Sequence, residues 1–475
     1  MTENHKHSTG TGVDPSDSNV CDGLWKRPIR GPMSPLHSVT APSRVGQTTK
    51  IGLEMEFFAY DAKNLTPLGL SGSVFHPSEL LKRLSDVIEG AKLKVDPTTG
   101  VVVGLALPSE ANFSLEPGGQ IEFSSSPRLE TANIIQDVMA ALEALENAAN
   151  GEALFLSHGT NPLAPVEMPL LVPKERYQIL RRYFESEPSG RGKDMMGHTA
   201  TVQPNIDING DDSDWEDAVR LTFALTPAVQ VLTRNSDFFG GCKSVHHSER
   251  QNIWLKTDST RSGIPTGIVK SQDVACCYAQ WARQANVFLV RGIPMDEQPK
   301  FGELTFEQYL SSGYKGVMPT LQDWELHLAT LFPELRLRGF LEIRSLDAQP
   351  FEHILAGVML WKGLLTDPHA RAEAWSLFCT QSLPERQHDT LGSELLKLAT
   401  ESLRRMGDDL GVAALRAATP HWLQRAQLAE TLEPLEFVRH HARQYPSRDF
   451  VSSIEKAGLR WGNSRGHPGW GGSQR

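Results

Sequence analysis

Four short segments of the chain alternate between apolar and polar residues, the two-residue period expected of a β-strand with one buried face. In the first segment, residues 51–57 (IGLEMEF), the odd positions are apolar and the even positions include Glu54 and Glu56. Side chains two residues apart point the same way on a strand, so both carboxylates are predicted to share one face. The polar positions of the other three segments are Gln120 with Glu122, Glu342 with Arg344, and the set Thr201, Gln203, Asn205 and Asp207.

The polar positions of these segments carry an unusual set of side chains. One strand with a polar face is ordinary, because the polar side chains of a half-buried antiparallel sheet usually face solvent. Here carboxylates dominate, and no lysine accompanies them within the four segments. Neighbouring carboxylates repel one another unless cations lie between them, and oxygen ligands suit a hard cation such as Mg²⁺. The predicted metal site therefore comprises Glu54, Glu56, Glu116, Glu122 and Glu342.

Proline and glycine residues constrain the backbone around this predicted metal site. Residues 116–120 (EPGGQ) predict a tight turn that would place Glu116 and Glu122 at the same end of a hairpin. An ordinary hairpin with solvent-exposed acids is the alternative. Pro204 removes a backbone donor from its segment, which is therefore predicted to be an edge strand or to contain a bulge.

Helical periodicity fills much of the remaining chain and becomes almost continuous after Asp367. These patterns predict an α+β fold with a helical C-terminal part packed on the core. The predicted units are a disordered leader (1–48), a catalytic core (49–367), the helical C-terminal part (368–460) and a flexible tail (461–475). The predicted helices span 77–94, 129–154, 174–185, 215–233, 320–331, 351–365, 393–406 and 421–431.

Composition narrows the class of protein. The 475 residues carry a formal net charge of −10 and contain no basic run, which argues against nucleic-acid binding. The chain has no apolar segment long enough to span a membrane and no apolar signal core at its N-terminus, so a cytoplasmic protein is predicted. Its five cysteines are sparse and lack CxxC spacing, which indicates reduced thiols.

Several motifs, in one order and without large gaps from about residue 50 to residue 367, resemble those of glutamate–cysteine ligases. They are IGLEMEFF, FSLEPGGQIEFSSSP, VPKERYQILRRYF, DMMGHTATVQPNIDI, SERQNIWLKTDSTRSG, LTFEQYL and LATLFPELRLRGFLEIRSLDAQP. The resemblance is strongest to the plant and proteobacterial enzymes and to related enzymes of ergothioneine synthesis. It implies a glutamine-synthetase-like fold, in which a curved antiparallel sheet flanked by helices holds Mg²⁺ and ATP on its polar face.

The same resemblance implies an activity. A ligase of this family joins L-glutamate to L-cysteine through a γ-glutamyl phosphate in glutathione biosynthesis, with ATP as co-substrate and Mg²⁺ as cofactor. The expected partners are these small molecules alone, for a monomer or homodimer that binds neither nucleic acid nor membrane. The alternatives are a different amine acceptor, a non-catalytic relative that binds ligand without turnover, and an unrelated metal-dependent phosphohydrolase.

Roles for individual residues follow from matching this sequence to the family motifs. Gln203 joins the five glutamates as a metal ligand. Arg344 and Glu342 are the predicted catalytic residues, and Arg344 is expected to stabilise the transferring phosphoryl group. Arginine forks recognise carboxylates, so arginines within the motifs are candidates for substrate binding. The predicted substrate- and ATP-binding residues are Arg176, Arg182, Thr201, Asn205, Arg250, Trp254 and Arg261.

Overall fold

A ten-stranded antiparallel sheet organises the chain. The computed structural model describes residues 49–381, 388–424 and 432–456. The predicted leader, the predicted tail and Cys21 therefore lie outside the described residues. The strands of the ten-stranded sheet are β1 (Ile51–Asp61), β2 (Lys92–Val95), β3 (Val102–Ala106), β4 (Asn112–Leu115), β5 (Ile121–Ser124), β6 (Ala153–Leu156), β7 (Thr201–Ile206), β12 (Leu335–Leu337), β13 (Leu341–Ile343) and β14 (Leu346–Asp347). Two small separate sheets pair β8 (Phe238–Phe239) with β9 (Cys242–Lys243) and β10 (Ser262–Gly263) with β11 (Phe332–Pro333). The strand order of the large sheet is β12-β13-β7-β1-β5-β4-β3-β2, with β14 also paired with β7 and β6 also paired with β1.

The apolar positions of β1 explain why this strand lies near the centre of the sheet. Leu53, Met55 and Phe57 are fully buried and face the helices, while the alternate positions face the other way. The Phe57 ring contacts Phe155 of β6 and Phe351, each with ring centroids 5.8 Å apart. Each such buried side chain contributes about 1.5–3 kcal/mol to folding. A shift of β1 by one residue would place these side chains on the polar face, so packing fixes the register.

The helices cover the apolar side of the sheet. Two predicted helices end earlier than expected, because Lys92–Val95 and Ala153–Leu156 are strands. Asn150 and Gly151, with φ of 46° and 75°, take left-handed conformations that end the second helix before its predicted limit. The helices are α1 (Pro77–Val87), α2 (Thr131–Ala149), α3 (Glu175–Glu185), α4 (Arg191–His198), α5 (Asp212–Thr233), α6 (Glu249–Leu255), α7 (Val274–Gln284), α8 (Phe306–Ser312), α9 (Leu321–Ala329), α10 (Ile354–Leu365), α11 (Pro368–Gln381), α12 (His388–Arg405), α13 (Asp409–Gln424), α14 (Pro434–His441) and α15 (Pro446–Lys456).

Pro204 lies in an interior strand, so the prediction of an edge strand was wrong. Strand β7 pairs with β1 on one side and with β13 and β14 on the other. The irregularity lies in the neighbouring chain. Glu342 pairs with Asn205 and Leu346 with Val202, so three residues of the neighbour oppose two of β7. This bulge interrupts the ladder beside Pro204, which has no backbone N–H to donate, and it contains Arg344.

The C-terminal helices pack on helices of the core through buried and half-buried polar contacts. Lys362 Nζ of α10 lies 2.6 Å from Asp408 Oδ2, and Trp422 Nε1 of α13 donates to Gln349 Oε1 at 2.9 Å. The predicted α+β architecture, with an antiparallel sheet, flanking helices and a helical C-terminal part, is confirmed. The division at residue 367 stays a prediction, and residues 425–431 of the last predicted helix lie outside the described residues. None of the described helices is both long enough and apolar enough to cross a membrane.

Candidate functional site

A cavity of about 340 Å³ lies over the polar face of the sheet. Four of the five predicted metal-binding glutamates line it, and so do four arginines, Gln203 and several apolar and aromatic side chains. The carboxylates come from two strands and one hairpin turn. The charged residues of the wall are Glu54, Glu56, Glu116, Glu122, Arg176, Arg336, Arg338 and Arg344.

Strand register brings the carboxylates together. Glu56 of β1 lies directly opposite Glu122 of β5, and Glu54 lies opposite Gln203 of β7. Residues directly opposite on antiparallel strands have Cβ atoms about 4.5–5.5 Å apart, so like charges at these positions repel. The shared face inferred from alternation is therefore present, and it places several acids within one small volume.

The ionisation of these acids reflects their crowding. Although Glu54, Glu56 and Glu122 keep some surface in the cavity, the surrounding protein excludes most water and so disfavours the charged form. Burial, followed by the charge of Glu342, raises the pKa of Glu54 to about 7. Burial and the neighbouring Glu116 raise the pKa of Glu56 to about 8. The pKa of Glu122 is also raised well above its usual range, by burial and then by Glu54. Positive charge placed among these groups would favour their ionised forms.

Glu342 has a different environment from the other four glutamates. It is fully buried and does not line the cavity. Arg336 donates to both of its oxygens, at 3.1 and 2.5 Å, and Arg344 Nη1 lies 2.6 Å from Oε1. Burial opposes ionisation of Glu342, but Arg336 and Arg344 outweigh it and lower the pKa to about 2. A cation binding to Glu342 would therefore compete with guanidinium groups for the same oxygens.

Gln203 and Thr201 connect the acidic and basic parts of the wall. The Gln203 side chain accepts from Arg344 Nη1 at 2.7 Å and donates to Glu56 Oε1 at 3.4 Å. The backbone N–H of Thr201 donates to Glu56 Oε2 at 3.0 Å. The Thr201 hydroxyl donates to the Leu346 carbonyl, away from the cavity. Thr201 was predicted to bind substrate, but its amide positions Glu56 instead.

The 116–120 turn forms the predicted hairpin between β4 and β5. Glu116 N donates to the Gln120 carbonyl at 3.0 Å, and Gly119 N donates to the Glu116 carbonyl at 2.8 Å. Gly119 has a φ of 82°, as the last residue of a three-residue hairpin loop requires. A Cβ on Gly118 would lie 2.6 Å from the carbonyl oxygen of Gly197 in α4. The two glycines therefore let the hairpin that carries Glu116 sit directly against that helix.

We expect Gly118→Ala to destabilise the protein by about 2 kcal/mol, because overpacking against backbone atoms typically costs 1–3 kcal/mol. Gly52→Ala is the matched control, since its Cβ would meet ordinary contacts at 3.6 Å or more. Urea unfolding of both variants measures the difference in free energy of unfolding. Equal midpoints for the two variants would contradict the close approach of hairpin and helix.

The remaining predicted substrate-binding residues divide into two groups. Arg176 and Trp254 line the cavity, and the Arg344 guanidinium carbon lies 5.6 Å from the Trp254 ring centroid. Asn205 shares the polar face of β7 beside Glu342 but does not line the cavity. Arg250 is buried behind the wall, where it donates to the main-chain carbonyl of Arg344 at 2.8 Å.

Two arginines that were predicted to bind substrate, Arg182 and Arg261, do not line the cavity. Arg182 is exposed on α3 and is not part of the cavity wall, because the apolar residues of that helix turn inward and Arg182 turns to solvent. Arg261 is fully buried and bonds Asp258 Oδ2 at 2.9 Å and the Thr330 carbonyl at 3.0 Å. Its guanidinium is occupied by these partners, so it holds loops together rather than facing a ligand.

Sequence reasoning missed several residues of the wall. Arg336 lies directly opposite Glu342 in the β12–β13 hairpin, and Arg338 Nη1 reaches Glu342 Oε2 at 3.4 Å. The sequence contains a signal for these two arginines, because Arg336 and Arg338 alternate with leucines just before a glycine and the LEIR segment, as on the first strand of a hairpin. The other missed residues are Pro117, Tyr177, Leu180, Met195, Met196, Thr199, Phe288, Ala329, Thr330 and Phe332. Gln120 was predicted to lie on the polar face but was not assigned to the site.

The donor chemistry of the wall suits a hard divalent cation. Glu54, Glu56, Glu116, Glu122 and Gln203 offer only oxygen and amide groups, the ligands that Mg²⁺ prefers. Within the described ranges, no three histidine, cysteine, aspartate or glutamate side chains are already spaced to hold one metal ion. The fit therefore rests on the type, charge and convergence of the donors.

Known proteins resemble this chain over most of its length. Residues 50–436 match the family profile described as glutamate-cysteine ligase family 2 (GCS2). A chloroplastic glutamate–cysteine ligase of Medicago truncatula is 29% identical over 384 residues, covering 75% of this chain and 73% of the relative. Glutamate–cysteine ligase A of Oryza sativa subsp. japonica is 31% identical over 327 residues, 67% of this chain and 63% of the relative. A crystal structure of glutamate–cysteine ligase from Francisella tularensis with AMP aligns over 88% of this chain and 90% of that chain, at 11% identity and a TM-score of 0.45.

Proposed function

Because this chain belongs to glutamate-cysteine ligase family 2, we propose that it uses ATP to join the side-chain carboxylate of L-glutamate to the amino group of L-cysteine. The single observation that carries this proposal is the cavity wall, in which four glutamates face a group of arginines. One part of the wall offers oxygen ligands to cations, and the other offers donors to phosphate and carboxylate groups.

The reaction requires activation of a poor electrophile. A carboxylate does not react with an amine until one of its oxygens becomes a leaving group. In the proposed first step, the γ-carboxylate of glutamate attacks the γ-phosphorus of ATP, the bond to ADP breaks, and γ-glutamyl phosphate forms. In the second step the amine attacks the acyl carbon, loses a proton, and phosphate leaves.

We assign stabilisation of the transferring phosphoryl group to Arg344. Its guanidinium lines the cavity and is held by Glu342 and Gln203, so its direction is fixed before any ligand arrives. A preorganised cation stabilises charge that develops in the transition state without a cost of reorientation. Arg336 and Arg338 add positive charge beside it, which would favour the approach of a triphosphate.

We assign the cation site to Glu54, Glu56, Glu116 and Glu122, with Gln203 as a further ligand and Glu342 behind them. Bound Mg²⁺ would offset the charge of the triphosphate and the substrate carboxylate. Gln203 and the Thr201 amide orient Glu56 toward the cavity. Glu116 receives a weaker contact at 3.5 Å from the Tyr177 hydroxyl.

The apolar part of the wall favours an uncharged amine side chain. Leu180, Met196 and Phe288 line the same cavity as the charged groups. A thiol-bearing side chain such as that of cysteine loses less hydration than a charged one when it contacts such surfaces. An amine with another small uncharged side chain is the alternative acceptor, because an apolar wall accepts such side chains too.

An amine panel tests this function. Purified protein is supplied with ATP, Mg²⁺ and L-glutamate, then with one amino acid at a time, while phosphate release and the γ-glutamyl product are measured. We expect product with L-cysteine at the highest kcat/KM. A higher value with another amine would redirect the acceptor assignment, phosphate release without any amine would indicate a phosphohydrolase, and binding without turnover would indicate a non-catalytic relative.

Withdrawal of divalent cations is expected to stop the reaction completely, because Mg²⁺ offsets the charges of the triphosphate and of the substrate carboxylate as these two anions meet. The measurement is amide formation in excess EDTA, followed by restoration with excess Mg²⁺. An equal concentration of EDTA already saturated with Mg²⁺ serves as the control. Residual turnover in free EDTA would refute the metal assignment.

The pathway that the product enters is also proposed. A γ-glutamylcysteine product would feed glutathione synthesis, and ergothioneine synthesis begins with the same step. The cytoplasmic location and the monomeric or homodimeric state predicted from the sequence stay predictions. The four described cysteines, Cys242, Cys276, Cys277 and Cys379, are free thiols, as the sequence indicated.

A further inference from the structure

Asp347 is a buried carboxylate that the proposed chemistry does not use. It belongs to the LEIRSLDAQP segment, lies in β14, and is only 3% exposed. Its Oδ2 accepts from Asn235 N at 2.6 Å, Ser236 Oγ at 2.7 Å and Ser248 Oγ at 3.2 Å. A buried charge is costly unless its partners satisfy it, so this concentration of donors indicates a defined role.

Asp347 makes two contacts with helix α6 and its N-cap, through Ser248 and Arg250, and this helix carries a residue of the site. Ser248 is the N-cap of that helix, where its hydroxyl accepts from Gln251 N at 3.1 Å. Arg250, in the first turn, has Nη1 3.7 Å from Asp347 Oδ1. Trp254 lies one turn further along the helix and lines the cavity. Asp347 therefore contacts both the cap and the first turn of the helix that presents Trp254.

Arg250 links Asp347 to the backbone of Arg344. Its Nη2 donates to the Arg344 carbonyl at 2.8 Å. Arg344 lies in the bulge beside Pro204, where regular pairing with β7 is interrupted. The backbone there is held from outside β7: the Arg344 N–H donates to the Glu334 carbonyl at 2.9 Å, and the Arg344 carbonyl accepts from Arg250. The backbone from which the Arg344 side chain projects is therefore held partly by Arg250.

We propose that Asp347 is a positioning residue for the ligase reaction, fixing Arg344 through Arg250 and Trp254 through Ser248. The inference rests on the proposed function, because it assigns a purpose to the placement of Arg344. An asparagine at this position would present one acceptor oxygen instead of two and would direct an N–H₂ group toward donors. Arg344 would then sample more orientations, and the phosphoryl-transfer step would slow.

The test compares Asp347→Asn, Arg250→Gln and the double variant with wild type. We expect Asp347→Asn to lower kcat by about 30-fold while the KM for the amine stays within about twofold, since positioning acts on the transition state. If Asp347 acts through Arg250, the double variant loses little more than Arg250→Gln alone, because coupled effects do not add. Burial lowers the pKa of the Arg250 guanidinium, and the charges of Asp347 and of the nearby buried Glu334 oppose this shift. Arg250 therefore keeps Glu334 as a carboxylate neighbour when Asp347 is replaced by asparagine.

Asp408→Asn is the control for the loss of a half-buried, ion-paired carboxylate. Asp408 bonds Lys362 Nζ at 2.6 Å and lies away from the cavity wall. Thermal unfolding of both variants separates lost stability from lost positioning. A kcat for Asp347→Asn within twofold of wild type, a kcat loss matched by Asp408→Asn, or losses that multiply in the double variant would overturn the proposal.

Hydrogen exchange supplies a readout that needs no turnover. We expect faster amide exchange at 249–255 and 344–348 in Asp347→Asn than in Asp408→Asn, whereas equal exchange would overturn the positioning role. Failure of the ligase assignment has a different signature, since wild-type protein would then form no γ-glutamyl product in the amine panel. The two failures are therefore distinguishable.

Discussion

Glu56→Gln is expected to lower kcat/KM for amide formation by about 1000-fold, which corresponds to several kcal/mol of lost charge stabilisation in the transition state. Glu56 lies opposite Glu122 and beside Gln203, so it contributes negative charge at the centre of the proposed cation site. Glutamine keeps the size of the side chain and one acceptor oxygen for the Thr201 amide. Steady-state kinetics over a range of Mg²⁺ concentrations measures the loss and any rise in the Mg²⁺ requirement.

The control for Glu56→Gln is Glu146→Gln, which removes a partly buried carboxylate bonded to the backbone N–H of Ser447 and remote from the cavity. Its kcat/KM is expected to stay within about twofold of wild type, as for most substitutions outside a site. Near-normal turnover by Glu56→Gln at low Mg²⁺ would remove Glu56 from the reaction.

Arg344→Lys is expected to lower kcat by about 300-fold, although it keeps the positive charge. Arginine groups that stabilise transferring phosphoryl groups are worth 10³–10⁵ in rate in other enzymes, and lysine retains part of that effect as a point charge. The guanidinium contacts Glu342 and Gln203 through Nη1, which leaves Nη2 for a ligand. Single-turnover measurement of ADP formation separates phosphoryl transfer from the later amine step.

Arg182→Lys provides the matched control, because Arg182 belongs to a family motif but is exposed outside the cavity. We expect unchanged kcat and KM for this variant. If Arg344→Lys formed ADP as fast as wild type in a single turnover, Arg344 would have no part in phosphoryl transfer.

Local periodicity was sufficient to predict the polar face of the sheet. On a strand, the alternation around Glu54 and Glu122 allows only one assignment of side chains to the two faces, because a buried apolar face fixes the direction of every side chain. The turn at Gly118 and Gly119 was equally local. The family assignment made from the motifs is confirmed by the match over residues 50–436.

Long-range contacts determine the side-chain directions that local sequence patterns did not predict. Arg182 and Arg261 occur in family motifs, yet one turns to solvent and the other satisfies Asp258 in the interior. A motif shows that a residue is nearby in sequence, whereas its direction depends on packing with distant elements. The same limit applies to Pro204, since the bulge that accommodates it belongs to a strand far along the chain.

The order of the strands also determines when this site can come into existence during folding. Strand β1 begins near residue 51, its neighbour β7 follows at Thr201–Ile206, and β13 completes that edge only at Leu341–Ile343. Pairings between such distant segments close large loops, and proteins dominated by them fold slowly. A nascent chain that has not yet released β12 and β13 from the ribosome therefore holds the first glutamates without Arg336 and Arg344, and catalytic competence arrives late in synthesis.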